Sequence, residues 1–117
     1  MDNRIFLYGN DQTLLMTRRL ILEKEGYRVF TAMKFGEAIQ LTMTQRLDVL
    51  ILCQSLSVEE RKGVLATVRE IAPSLKTIIL GYGESVYPIR TQEESVEMLI
   101  APKTLLGVID RMLGPTL

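Results

Sequence analysis

Asp48-Val49-Leu50-Ile51-Leu52-Cys53 is a continuous apolar run that opens on one carboxylate and ends at the only cysteine of the chain. A run this short, bounded by polar residues, reads as a strand buried on both faces rather than as a helix. Two more runs have the same form. Arg4-Ile5-Phe6-Leu7-Tyr8 is ended by Gly9, and Lys76-Thr77-Ile78-Ile79-Leu80 by Gly81. Between them lie stretches of helical periodicity. Apolar strands alternating with helices imply a parallel sheet covered on both sides, joined by right-handed crossovers.

The helices are bounded by ordinary stop and start signals. Asp11 caps a first helix through about Glu25, and Gly26 stops it. Its apolar stripe is Leu14, Leu15, Ile21 and Leu22. Arg18 falls inside that stripe, which predicts a stem along the core and a head in water. Tyr27 to Thr31 reads as the second strand, and Glu37 to about Gln45 as a short helix with Ala38, Ile39 and Leu41 inward. Ser57 and Glu60 have capping-box spacing. The helix they open runs to about Ala72, ahead of Pro73, with Val64, Leu65, Val68 and Ile71 inward. Its first turn, Glu59, Glu60, Arg61 and Lys62, reads as a solvated helix start. Tyr82 to Arg90 reads as a loop, Thr91 to Glu97 as a brief helix, and Met98-Leu99-Ile100 as a short fifth strand. Lys103 to Leu113 is a final helix ended by Gly114-Pro115. Residues 1–114 form one domain on this reading, and 115–117 a tail or the start of a linker.

The 117 residues suit one domain with one core. Lys plus Arg and Asp plus Glu number 14 each, so the basic excess of nucleic-acid modules is missing. No apolar run is long enough to cross a bilayer, and no leader pattern precedes the first strand. A single cysteine forms no internal disulfide and fits a reducing cytoplasm. The chain has no histidine, hence no Ser-His or Cys-His pair and no histidine metal ligand. These absences argue against an enzyme.

The order and spacing of the motifs resemble the receiver domain of bacterial two-component response regulators, over roughly Arg4 to Leu113. Glu25-Gly26-Tyr27-Arg28-Val29 is similar to the family's turn into its second strand. Glu37-Ala38-Ile39 resembles the second-helix entry, and Leu47 to Leu52 the third strand. Val68-Arg69-Glu70-Ile71-Ala72-Pro73 into Ile78-Ile79-Leu80 resembles the third helix and fourth strand. Pro102 stands where the family has a proline. The resemblance implies a flavodoxin-like three-layer α/β sandwich with five parallel strands in the order 2-1-3-4-5. It also implies which chemistry is missing. The family holds magnesium with two acids after the first strand, and here they are Gly9 and Asn10, followed by Asp11. The phosphoacceptor aspartate is replaced by Cys53 and the phosphoryl-contacting hydroxyl by Gly81. Met98 stands for the switching aromatic and Ala101 for the lysine, with Lys103 displaced by two residues. The resemblance therefore implies a pseudo-receiver, with no cofactor expected and with Gly9, Asn10, Asp11, Cys53, Gly81 and Ala101 as its vestigial pocket. Cys53→Asp is then expected to place a carboxylate in a partly apolar crevice at a cost in stability.

Each of these features also has a plainer reading. Cys53 is either a reactive thiolate, which needs a neighbouring cation, or a small buried apolar residue. Asp11 is either a metal ligand or a helix cap. The small residues Gly9, Gly81 and Ala101 at the strand carboxyl ends leave either an inert vestige or a crevice for a small ligand. In the last helix Leu105, Leu106, Val108, Ile109, Met112 and Leu113 span an arc of roughly 160°. Leu106, Ile109 and Leu113 are expected to cover the sheet. Leu105, Val108 and Met112 are then left as a second stripe, either an interface or a deeper part of the core. The leading functional expectation is a phosphorylation-independent regulatory module that dimerises or binds a partner protein. The alternative is a small-ligand sensor.

Overall fold

The computed structural model describes residues 3–53, 56–81, 93–97 and 102–113. The elements follow in the order β1 (Arg4–Tyr8), α1 (Gln12–Lys24), β2 (Arg28–Ala32), α2 (Phe35–Thr44), β3 (Val49–Leu52), α3 (Val58–Ile71), β4 (Lys76–Gly81), β5 (Glu93–Glu97) and α4 (Pro102–Leu113). Four strands form a parallel sheet in the order β2-β1-β3-β4, and β5 pairs in parallel along the far side of β4.

Alternation of side chains along the strands divides the core into two layers. Ile5, Leu7, Val49, Ile51, Ile78 and Leu80 meet Leu15 and Leu22 of α1 and Leu105, Val108 and Ile109 of α4. Phe6, Tyr8, Leu50, Leu52 and Ile79 meet Ala38 of α2 and Val64, Leu65 and Val68 of α3. The helix pairs thus cover opposite faces, and each buried leucine contributes roughly 1.5–3 kcal/mol.

The expected caps are in place. The Asp11 carboxylate accepts from the Leu14 N–H at 3.1 Å. Gly26 follows the α1 C-cap at φ 92°, a conformation that favours glycine, and its N–H donates to the Glu23 carbonyl. Ser57 and Glu60 form the complete capping box.

Several expectations are corrected. Glu93–Glu97 is a strand and not part of a helix; an edge position tolerates its three glutamates, so its apolar signal is weak. The expected strand at Met98-Leu99-Ile100 lies outside the described residues, as do Tyr82 to Arg90 and the tail. Helix α2 starts at Phe35, two residues early and without a side-chain cap. At the other end of α3, Ile71 is 37% exposed, whereas Arg61 is only 7% exposed. The first turn of α3 is therefore not wholly solvated.

Two polar contacts tie α4 to the rest. Tyr27 donates its hydroxyl to Asp110 at 2.7 Å, and Lys76 donates its ammonium to the Met112 carbonyl near the C-terminal end of the helix. Burial, then the Asp110 hydrogen bond and charge, then the Glu25 charge push the Tyr27 phenol up to about 12. A raised folded-state pKa means that this contribution is fully present below the ordinary tyrosine value near 10. It is lost as pH rises from there toward about 12. Urea denaturation across pH 9 to 12 should show the wild type losing this increment. Tyr27→Phe should lack that alkaline dependence, and parallel profiles for the two proteins would refute the assignment.

Candidate functional site

Strand order β1-β3-β4 brings Gly9, Cys53 and Gly81 to the same carboxyl edge of the sheet. Gly9 is buried, and its N–H donates to the Ala32 carbonyl at 3.3 Å. The Cys53 N–H donates to the Tyr8 carbonyl at 2.9 Å, which continues the β1–β3 ladder by one residue. Gly81 ends β4 opposite Glu97. Ala101 and Met98 lie outside the described residues. The expected crevice is therefore described on its β1 and β3 sides.

The polar residues after β1 are committed to the scaffold. Asp11 caps α1. Asn10 donates its amide to both carboxylate oxygens of Glu60, at 3.1 and 2.9 Å. That bond, followed by the Ser57 backbone N–H, holds the Glu60 carboxyl below its usual range. The β1–α1 turn is thereby joined to the start of α3 by a neutral amide on a carboxylate. A magnesium ion needs several hard oxygen ligands. Neither matched position, Gly9 or Asn10, offers a carboxylate, the Asp11 that follows them caps α1, and among the described residues no group of three or more potential ligands could hold a metal. These residues do not fit the ion that the resemblance implies.

The surroundings of Cys53 were not legible in the sequence. Its side chain is 1% exposed. Arg18 reaches it from α1 and Arg61 from α3, and both charges favour the thiolate. Burial is nevertheless the largest effect and pushes the thiol pKa up. The thiol stays protonated, which matches the plain reading rather than the reactive one. Two arginine charges act on it all the same, and neither could be placed there from the sequence. Arg18 departs from its expected placement as well. Its Nη1 is buried, so the head does not simply reach water. Tyr8, at the end of β1, has its phenol pKa raised by burial and then by the Glu60 and Glu37 charges.

The two stripes of α4 are also reassigned. Leu105 and Val108 are each 7% exposed and pack in the same core as Ile109. Leu106, Met112 and Leu113 are partly buried against that core. The helix is rotated so that Leu105 and Val108 face the sheet, which leaves only Met112 of the expected interface stripe partly exposed.

No protein-family model matches the chain. The chain is 35% identical over 79 residues to "Alginate biosynthesis transcriptional regulatory protein AlgB" of Pseudomonas syringae pv. tomato and of Pseudomonas aeruginosa. That stretch is 68% of this chain and 18% of either AlgB. The fold is close to solved receiver domains. A CheY-like receiver domain protein from Methanospirillum hungatei superposes with a TM-score of 0.85 at 22% identity, over 97% of this chain and 94% of that one. Vibrio cholerae CheY4 superposes at 0.82 and 18% identity, over 96% and 99%. The chain therefore has the CheY-like, flavodoxin-like α/β fold with a parallel sheet. Its structural neighbours are receiver domains, which are regulatory modules rather than enzymes.

Proposed function

We propose that this chain is a receiver-like regulatory module of bacterial signal transduction that works without phosphorylation, in the cytoplasm, by self-association or by binding a partner protein. The observation that carries the proposal is the Asn10–Glu60 contact, with an amide where a magnesium carboxylate would be needed. Asp11 is committed to capping α1, and the acceptor position holds a buried, protonated thiol. Phosphoryl transfer depends on neutralising charge spread over the transferring group, and the ligands that would seat magnesium for that task are missing. No helix among the described residues is long and apolar enough to cross a membrane. With equal numbers of basic and acidic residues, this segment itself does not bind nucleic acid on our reading. The partner surface on α4 would include Met112, the member of the expected stripe that is only partly buried.

Incubation with acetyl phosphate and magnesium, followed by intact-mass measurement, should leave the protein at its unmodified mass. Sedimentation of the treated and untreated protein should be the same. A stable phosphoryl adduct on any residue would overturn the proposal.

A further inference from the structure

Helix α2 carries an apolar stripe that faces water. Phe35, Ile39 and Met43 are four residues apart and share an arc of about 80°. Phe35 is 47% exposed and Met43 66%, and Ile39 is half-buried. Gly36 and Gln40 beside them are exposed and uncharged. Glu37 is the only charged residue of the helix, and it falls about 160° away from Ile39. No charge therefore interrupts the stripe, and a contiguous exposed apolar surface of this kind marks an interaction site.

The order of the stripe selects a second copy of this chain as its occupant. Two large unbranched or aromatic side chains flank Ile39 at equal spacing. A two-fold axis at Ile39 sets Phe35 of one copy against Met43 of the partner subunit, and each Ile39 against its counterpart. A thioether on an aromatic ring is a favourable contact. The two helices then run antiparallel, so their dipoles oppose favourably. Charge agrees with this arrangement. Lys34 is exposed at the N-cap of α2, and the last turn of the helix has no basic residue. Arg46, just past that end, is paired with Asp48. In the antiparallel pair each Lys34 approaches the C-terminal carbonyls of the other α2, where a cation is favoured. Equal numbers of acidic and basic residues give little repulsion between copies. Three such side chains, already partly covered, hide on the order of a few hundred Å² per copy, against roughly 800 Å² in a stable complex. The association is therefore weak and reversible.

We propose that the domain self-associates through α2, as an antiparallel two-fold pair centred on Ile39. The inference rests on the reading of the chain as a self-associating module and names the surface; α4 is left free for a partner protein.

Sedimentation equilibrium should show a monomer–dimer equilibrium with a dissociation constant on the order of 100 µM. Met43→Glu should weaken it tenfold or more. Gly36→Arg is the second variant, because a Cβ at Gly36 meets nothing within 4 Å. Glycine is a poor helix former, so this variant should melt no lower than the wild type. It should nevertheless weaken the dimer, by placing bulk and charge beside the stripe. Lys34→Glu should weaken it as well, although a carboxylate at that helix start favours the monomer's own fold. Met112→Glu, on α4, should leave the constant unchanged. A protein that stays monomeric at about ten times that concentration would overturn the proposal. So would a dimer that Met43→Glu and Gly36→Arg leave intact, or one that Met112→Glu disrupts. A phosphoryl adduct is a separate result: it would overturn the phosphorylation-independent reading and leave the α2 surface standing.

Discussion

Val108→Glu should strongly destabilise the domain. Val108 is 7% exposed and sits in the core layer formed by β1, β3, β4, α1 and α4, beside Leu105 and Ile109. A glutamate there must either remain charged in an apolar layer or become protonated, and either outcome forfeits the packing of the valine. Inserting an unpaired charge into such a site costs roughly 3–5 kcal/mol. A domain of this size has only about 5–15 kcal/mol in total. The urea midpoint should fall by a third or more. Met112→Glu, on the same helix but only partly buried, should lower it by a much smaller amount. The contrast between these two positions is the test. If Val108→Glu keeps the wild-type midpoint while weakening a dimer, the stripe faces outward and the helix is seated differently.

The difference between Val108 and its expected role shows where sequence reading stops. Strands β1, β3 and β4 were legible because each is a short unbroken apolar run. The caps at Asp11 and Ser57–Glu60 were legible because a cap is a local contact within one turn. The apolar arc of α4 was legible too, but its width left the rotation of the helix open. That rotation is fixed by packing against strands and by Tyr27 and Lys76, which are distant in sequence. Strand β5 was missed because its glutamates carry no apolar alternation, and its pairing with β4 decides its form. At the site, Gly9, Asn10 and Cys53 could be placed at the strand ends from the sequence, and what the resemblance implies for them could be read position by position. Their new partners could not. Glu60 is 50 residues from Asn10, and periodicity places the Cα of Arg18 without saying where so long a side chain sends its head.

Cys53→Asp should lower the melting temperature at neutral pH. The side chain at 53 is 1% exposed, and the Arg18 and Arg61 charges offset that burial only in part for the thiol. The substitution places a carboxylate in the same buried position, where desolvation disfavours its charged form. The carboxyl of the variant should therefore titrate above the ordinary aspartate value near 3.9. With the folded-state pKa raised, the cost is largest above that raised pKa and shrinks as pH falls through it. Calorimetry should therefore show the variant's deficit at pH 7 shrinking in acid. In the Arg18→Leu background, without the Arg18 charge, the same substitution should cost more. Phosphoryl transfer should still fail. No seated magnesium would neutralise the transferring group, because the neighbouring Asn10, Asp11 and Glu60 are held in scaffold roles. A cost that is the same with and without Arg18 would show that the Arg18 charge does not act on position 53. A magnesium-dependent adduct with acetyl phosphate would instead show that Asp11 alone suffices to seat the ion.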